Sequence, residues 1–369
     1  MKTFLTFVCA LAALLPSTMR AAQDAPPEFR AQFFQLCDME TGKVRDENNK
    51  VPFFVDSYAV RALCVAYDMT GNTNYLDACR DWSERMVKYQ EQMTPPGAYY
   101  MHYNRKPGET TNDWYAADSG SIGMAVLATA VRCHGAEQKR FLKSAENFAD
   151  LVLKNYVKSS GGISDGNWHR SSDEWWCSSG IDGSFLFNLY NSTHEKRYLE
   201  AALHDTDWLN DLDLTKDMPF PLSEQGPAMI FYVMENYSAG WPYISKDETR
   251  KAAALKKVDW CFDWIRTQQQ KPVADRAWPP TKGWGLKFGG LPFHQYVFAR
   301  YLADDQNFTA PGDAEVQLLA PLLFGNGQPT WEQVLPIYQL PAFTLMSYAE
   351  RLDPDVIYRP IKHWYLGEF

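Results

Sequence analysis

Apolar residues recur along this chain at helical spacing, in paired strokes. Between positions 55 and 69, Val55, Ala59, Ala62, Leu63, Ala66 and Tyr67 share one helical face. Gly71-Asn72 stops that helix, and Asn74-Tyr75-Leu76 opens a second that runs to about Gln92. The pattern returns as Asp118 to His134, a break at Gly135, and a partner through Phe141-Leu142 to about Val157. It returns again as Asp182 to Asn191, then Tyr198 to Leu209. A looser copy runs from Glu224 to Asn236, turns at Gly240-Trp241-Pro242 and resumes over 248–269. A fifth begins near Gly290 and ends around Ala303, and segments 340–352 and 29–40 complete the set.

Tyr75 and Phe141 lie 66 residues apart, and Phe141 and Tyr198 57. Helix pairs repeating at such periods imply a toroid or a solenoid. One helix of each pair is rich in Gly, Ala and Ser, which suits tight inner packing. Its partner carries Lys, Glu and Arg, which suits an outer, solvated ring. The expected fold is all-α: an (α/α)6 barrel closed as one domain over residues 23–369, with an open solenoid as the alternative.

The first 22 residues read differently. Lys2 precedes an apolar run from Phe4 to Leu15, followed by Pro16, Ser17 and Ala21-Ala22. Such a run is too short for a membrane span of roughly 20 residues and matches an export signal, placing the protein in the periplasm or outside the cell. A buried N-terminal helix is the competing reading. No later segment is apolar enough to span a membrane. Of seven cysteines, Cys9 falls in this segment; the dispersed remaining six favour buried thiols over a disulfide framework. Asn191, Asn236 and Asn307 head glycosylation sequons.

Composition narrows the function. The chain has 369 residues and a formal charge of −9, so nucleic-acid binding by bulk charge is disfavoured. No dinucleotide, Walker, zinc-protease or α/β-hydrolase motif is present, and no Cys/His spacing suggests a metal; no cofactor is expected. Aromatic residues make up 15%. They concentrate in three long loops, 93–117, 158–180 and 270–289, each preceding a small-residue helix and so opening on one face of the barrel.

Those loops hold the candidate chemistry. Aromatic faces pack against the C–H faces of sugar rings, and paired carboxylates perform acid–base work. Asp113 precedes Asp118 by five residues, with Trp114 and Tyr115 between them. Asp173 sits between His169-Arg170 and Trp175-Trp176. Asp113, Asp118, Asp173 and His169 are the catalytic candidates. Trp114, Tyr115, Trp168, Arg170, Trp176, Asp182 and His294 are the substrate-binding candidates, Arg170 as a cation for a substrate carboxylate. Asp56, Asp118, Asp182 and Glu224 all begin inner helices, where acids also serve as ordinary caps.

With its hairpin pattern and the segment Asn112-Asp113-Trp114-Tyr115-Ala116-Ala117-Asp118, the chain resembles the six-hairpin glycosidases, most closely the unsaturated glucuronyl and rhamnogalacturonyl hydrolases of families 88 and 105. That resemblance implies hydration of the 4,5 double bond of an unsaturated uronic acid, with Asp113 and Asp118 as the rim aspartates. Three other readings stay open. A conventional glycosidase would use two of these acids. A polysaccharide lyase would use His169 or Tyr115 with Arg170. A non-catalytic protein would bind oligosaccharide or polysaccharide on its aromatic residues.

Overall fold

The computed structural model describes residues 27–49, 51–101, 114–166, 173–214 and 226–276, together with 345–346, 348–349 and 351–352. Nine α-helices lie in this part: α1 (Pro27–Arg45), α2 (Phe53–Thr70), α3 (Thr73–Gln90), α4 (Ala116–Ala130), α5 (Gly135–Asn155), α6 (Trp176–Thr193), α7 (Lys196–Asp211), α8 (Gly226–Ile244) and α9 (Glu248–Gln269). No named strand occurs among the described residues; isolated bridges pair Val157 with Ile163, Ser164 with Glu174 and Tyr115 with Gly166.

The helices sort into two layers. Helices α2, α4, α6 and α8 pack in that order as an inner row, and each hairpin partner lies outside it. Composition explains the sorting. Helix α4 reads AADSGSIGMAVLATA, and nearly every side chain in it is buried. Helices α3, α5 and α7 bury one stripe and turn charge outward. Ion pairs then step around the outer ring: Arg80 to Glu137 at 2.9 Å, Arg197 to Asp150 at 2.6 Å and Arg250 to Asp207 at 2.6 Å. Each exposed pair contributes about 0–1 kcal/mol, so the ladder orders the ring more than it stabilises it.

The predicted hairpin stops hold. Gly71 takes a left-handed φ of 68° and donates its N–H to the Tyr67 carbonyl, and the Asn72 side chain caps α3 by accepting from the Asn74 N–H at 3.1 Å. One expected turn is absent. Helix α8 runs through Gly240-Trp241-Pro242 to Ile244. Pro242 lies inside its last turn, where the missing N–H removes the ladder bond to the Ser238 carbonyl. Gly240 is there for packing: a Cβ on it would lie 2.4 Å from Phe187 Cε2 on α6.

The C-terminal part returns to the start. Tyr348 packs its ring 5.3 Å from Phe29 and donates its hydroxyl to Gln32 on α1. The C-terminal residues thus lie back against the first helix, as the closed (α/α) toroid requires and an open solenoid does not. Cys37, Cys64, Cys79, Cys133, Cys177 and Cys261 are all free and buried. Asn191 and Asn236 are buried as well, so two sequons offer no accessible amide in the folded chain. Residues 1–22, the fifth hairpin at 290–303 and Asn307 lie outside the described residues. No described helix is long and apolar enough to cross a membrane.

Candidate active site

The site is assembled where the inner helices start. After α5 the chain turns at Gly161 (φ 103°) and Gly166 (φ 78°), both left-handed positions that suit glycine. The Asp165 carbonyl accepts the Ala116 N–H at 3.1 Å, fastening this loop to the first turn of α4. The fastening brings Asp165 to Asp118. Beyond the loop, α6 begins with Trp176-Cys177. The Cys177 thiol lies in the field of Asp118, Asp182, Glu235 and Asp165; burial first, then these acids, push it well above its ordinary range. Carboxyl groups from three helices and one loop thus all act on this one buried thiol.

Their environments differ. Asp182 is fully buried, and neither of its carboxyl oxygens has a hydrogen-bond partner. It points at α4, where a Cβ on Gly120 would lie 2.0 Å from its Oδ1. Burial, and then the nearby charge of Asp118, hold its carboxyl well above the usual range. Behind it, Asp205 on α7 reaches inward over Gly183, where a Cβ would meet its Oδ2 at 2.2 Å. Asn236 of α8 donates to that oxygen at 3.1 Å. Burial again raises this carboxyl, Asp182 adding to the effect against an opposing Ser179 hydrogen bond. Asp118 is the half-buried member of the group.

The fifth acid, Glu235, is paired. Arg61 of α2 donates to its Oε1 at 2.8 Å, with both side chains buried. The guanidinium also stacks 4.4 Å from the Tyr58 ring centroid, and the Tyr58 hydroxyl reaches Glu235 Oε2 at 3.5 Å. This pair joins α2 to α8, the first and last inner helices among the described residues, and so reaches across the lumen side of the row. No group of three or more His, Cys, Asp or Glu with metal-binding geometry occurs among the described residues.

A toroid with a carboxyl cluster at the mouth of its inner helices suits glycan hydrolysis. The comparisons agree. A model of glycosyl hydrolase family 76 matches residues 28–220. That span covers more than half of the chain and contains α1 to α7. The chain belongs to glycosyl hydrolase family 76. Its fold is similar to that of a family 76 glycoside hydrolase from a bovine Bacteroides thetaiotaomicron strain, at 15% identity, with a TM-score of 0.53 over 81% of this chain and 68% of that one. No curated protein matches. A glycoside hydrolase with an (α/α) toroid is thus borne out, while the closer likeness to families 88 and 105 gives way to family 76.

In this family 76 chain the expected site residues divide. Asp118 and Asp182 come together on adjacent helices. Asp182 is not a helix cap, because α6 begins six residues earlier at Trp176. Its full burial also leaves it no surface for a sugar. Trp114 and Trp176 are core residues: Trp114 packs edge-on to Tyr156 at 5.1 Å, and Trp176 stacks on Tyr232 at 6.1 Å. Neither leaves a ring face open to a sugar, because the adjoining loop and α8 cover them. Tyr115 is half-buried at the start of α4, and Asp173 is exposed, outside the buried cluster. Asp113, Trp168, His169, Arg170 and His294 lie outside the described residues. Asp165, Asp205, Glu235, Arg61 and Tyr58 were not singled out from the sequence. Glu235 and Asp205 sit mid-helix, and nothing in their immediate sequence marks them.

Proposed function

We propose that this family 76 hydrolase cleaves a neutral glycan of the α-mannan class, with Asp118 as the carboxylate that meets the substrate. Exposure carries this reading. Asp165, Asp182, Asp205 and Glu235 are buried, and Asp118 alone of the five keeps surface at the helix mouth. Family 76 is an α-mannanase family, which supports the substrate class. The electrostatics support it too. The Arg61 guanidinium is already paired with Glu235, so it is spoken for as a cation for a substrate carboxylate.

Glycoside hydrolysis needs one carboxyl group that donates a proton to the leaving oxygen and a second, ionised one. Burial holds the Asp182 carboxyl well above the usual range, which favours its neutral form beside Asp118. Asp113, five residues earlier, is the sequence's candidate for the partner acid. We also place the reaction outside the cytoplasm, on the export-like character of residues 1–22.

The test is reducing-sugar release from α-mannan, run beside absorbance near 235 nm on lyase-generated unsaturated oligosaccharides. The expected result is sugar release with constant absorbance. Asp118→Asn should lower turnover by about 10³-fold with an unchanged melting temperature. A fall in absorbance without mannan cleavage would restore the uronyl-hydrolase reading. A variant within about tenfold of wild type would remove Asp118 from the chemistry.

A further inference from the structure

Away from the helix mouth, the outer ring carries a groove of about 460 Å³ between the C-terminal end of α7 and the flank of α9. That size falls within the ~300–1,000 Å³ typical of clefts that hold small ligands or segments of larger ones. Trp260 of α9 forms one wall, half-buried against the core. Facing it are Asn210, Asp211 and Asp213 from the end of α7 and the turn after it, with Lys256 beside them. The groove is held open by fixed contacts. The Tyr237 hydroxyl donates to Asn210 Oδ1 at 2.7 Å, and Lys257 Nζ donates to the Leu212 carbonyl.

Two acids and two lysines line this groove, so it carries no net charge toward a ligand. A polyanion, a cationic peptide or an anionic membrane would find no complementary field. What the wall does offer is the half-buried Trp260 side chain with donors and acceptors of both kinds beside it. That combination suits a ring whose faces present C–H groups and whose edges present hydroxyls. We propose that this groove is a secondary binding site for a neutral polysaccharide chain, holding polymer on the outer ring while cleavage proceeds at the helix mouth. The proposal rests on the reading of the protein as a glycan hydrolase, but not on Asp118 being the acting carboxylate.

The experiment is affinity electrophoresis of the full chain in gels containing α-mannan or another neutral polysaccharide, in an Asp118→Asn background so that the polymer survives. The parent should be retarded by α-mannan. Adding Trp260→Ala should weaken that retardation by about tenfold, and Trp260→Phe should keep most of it. In the otherwise wild-type enzyme, Trp260→Ala should leave turnover of a short manno-oligosaccharide unchanged. Retardation that ignores Trp260→Ala overturns the site, as does a parent that no neutral polysaccharide retards. So does a Trp260→Ala variant that loses short-substrate turnover in proportion to polymer binding, since its effect then runs through the fold. Trp260-dependent retardation by a different neutral polysaccharide, with α-mannan neither bound nor cut, sinks the α-mannan substrate reading and leaves the groove standing.

Discussion

Replacing Arg61 with methionine tests whether the ion pair across the lumen holds the inner row together. The pair is 2.8 Å long, with side-chain exposures of 4% and 0%. At an effective dielectric of about 20, two unit charges at that distance attract by ~6 kcal/mol. Desolvation of both groups opposes most of that gain, so the net worth of the pair is small. Breaking it is another matter. Arg61→Met leaves Glu235 charged and buried, with the Tyr58 hydroxyl at 3.5 Å in place of a cation. The expected loss is about 3–5 kcal/mol. A double variant, Arg61→Met with Glu235→Leu, removes both charges at similar volume and should recover most of that loss. Urea unfolding followed by far-UV circular dichroism measures both, through the midpoint at constant slope. An Arg61→Met variant within about 1 kcal/mol of wild type, or a double variant no better than the single one, would refute the argument.

Gly240→Ala should destabilise the chain by about 1–3 kcal/mol, because its Cβ would sit 2.4 Å from Phe187 Cε2; trimming Phe187 to Leu should return part of it, as thermal melts would record. Asp205 binds its proton more tightly folded than unfolded, so stability falls as pH rises from about 3.9 toward the folded value, by about 1.4 kcal/mol per unit crossed. Asp205→Asn keeps an acceptor for Asn236 and should flatten that slope; parallel stability profiles for variant and wild type between about pH 4 and 8 would count against it. Cys133 and Cys261 are pushed up to about 12 by burial, so maleimide at neutral pH should label them only after unfolding, which peptide mapping can follow.

The hairpins were legible because local signals and tertiary roles agreed. Gly71-Asn72 stops a helix in any context, and the apolar stripes of α3, α5 and α7 have one face to hide and one to show. Legibility failed where a residue's role depends on what lies across a gap. Gly240-Trp241-Pro242 reads as a turn locally, but the approach of Phe187 from α6 gives the glycine its purpose within a continuing helix. Trp114 and Trp176 read as sugar platforms because they adjoin loops, yet Gly166 and Tyr232 cover them. Asp182 reads as a cap only if the helix starts there; the six preceding residues, Trp176 to Ile181, are helical as well. Glu235 and Asp205 carry no local signal, since their partners Arg61 and Asn236 lie 174 and 31 residues away.

The small-residue composition of the inner helices and the acid cluster are one feature, not two. A carboxyl group can be kept inside a helical row only where the neighbouring helix has no side chain in its place. Gly120 supplies that space for Asp182, and Gly183 supplies it for Asp205 and Asn236. Helices rich in alanine and glycine thus do more than pack closely. They admit acids at depths where burial disfavours the charged form, and they leave the half-buried Asp118 as the member of the cluster with surface at the helix mouth. An inner row built of leucine would pack as well and would exclude both buried acids. The pattern that first suggested a toroid is therefore also the one that lets this toroid hold buried carboxyl groups behind the helix mouth.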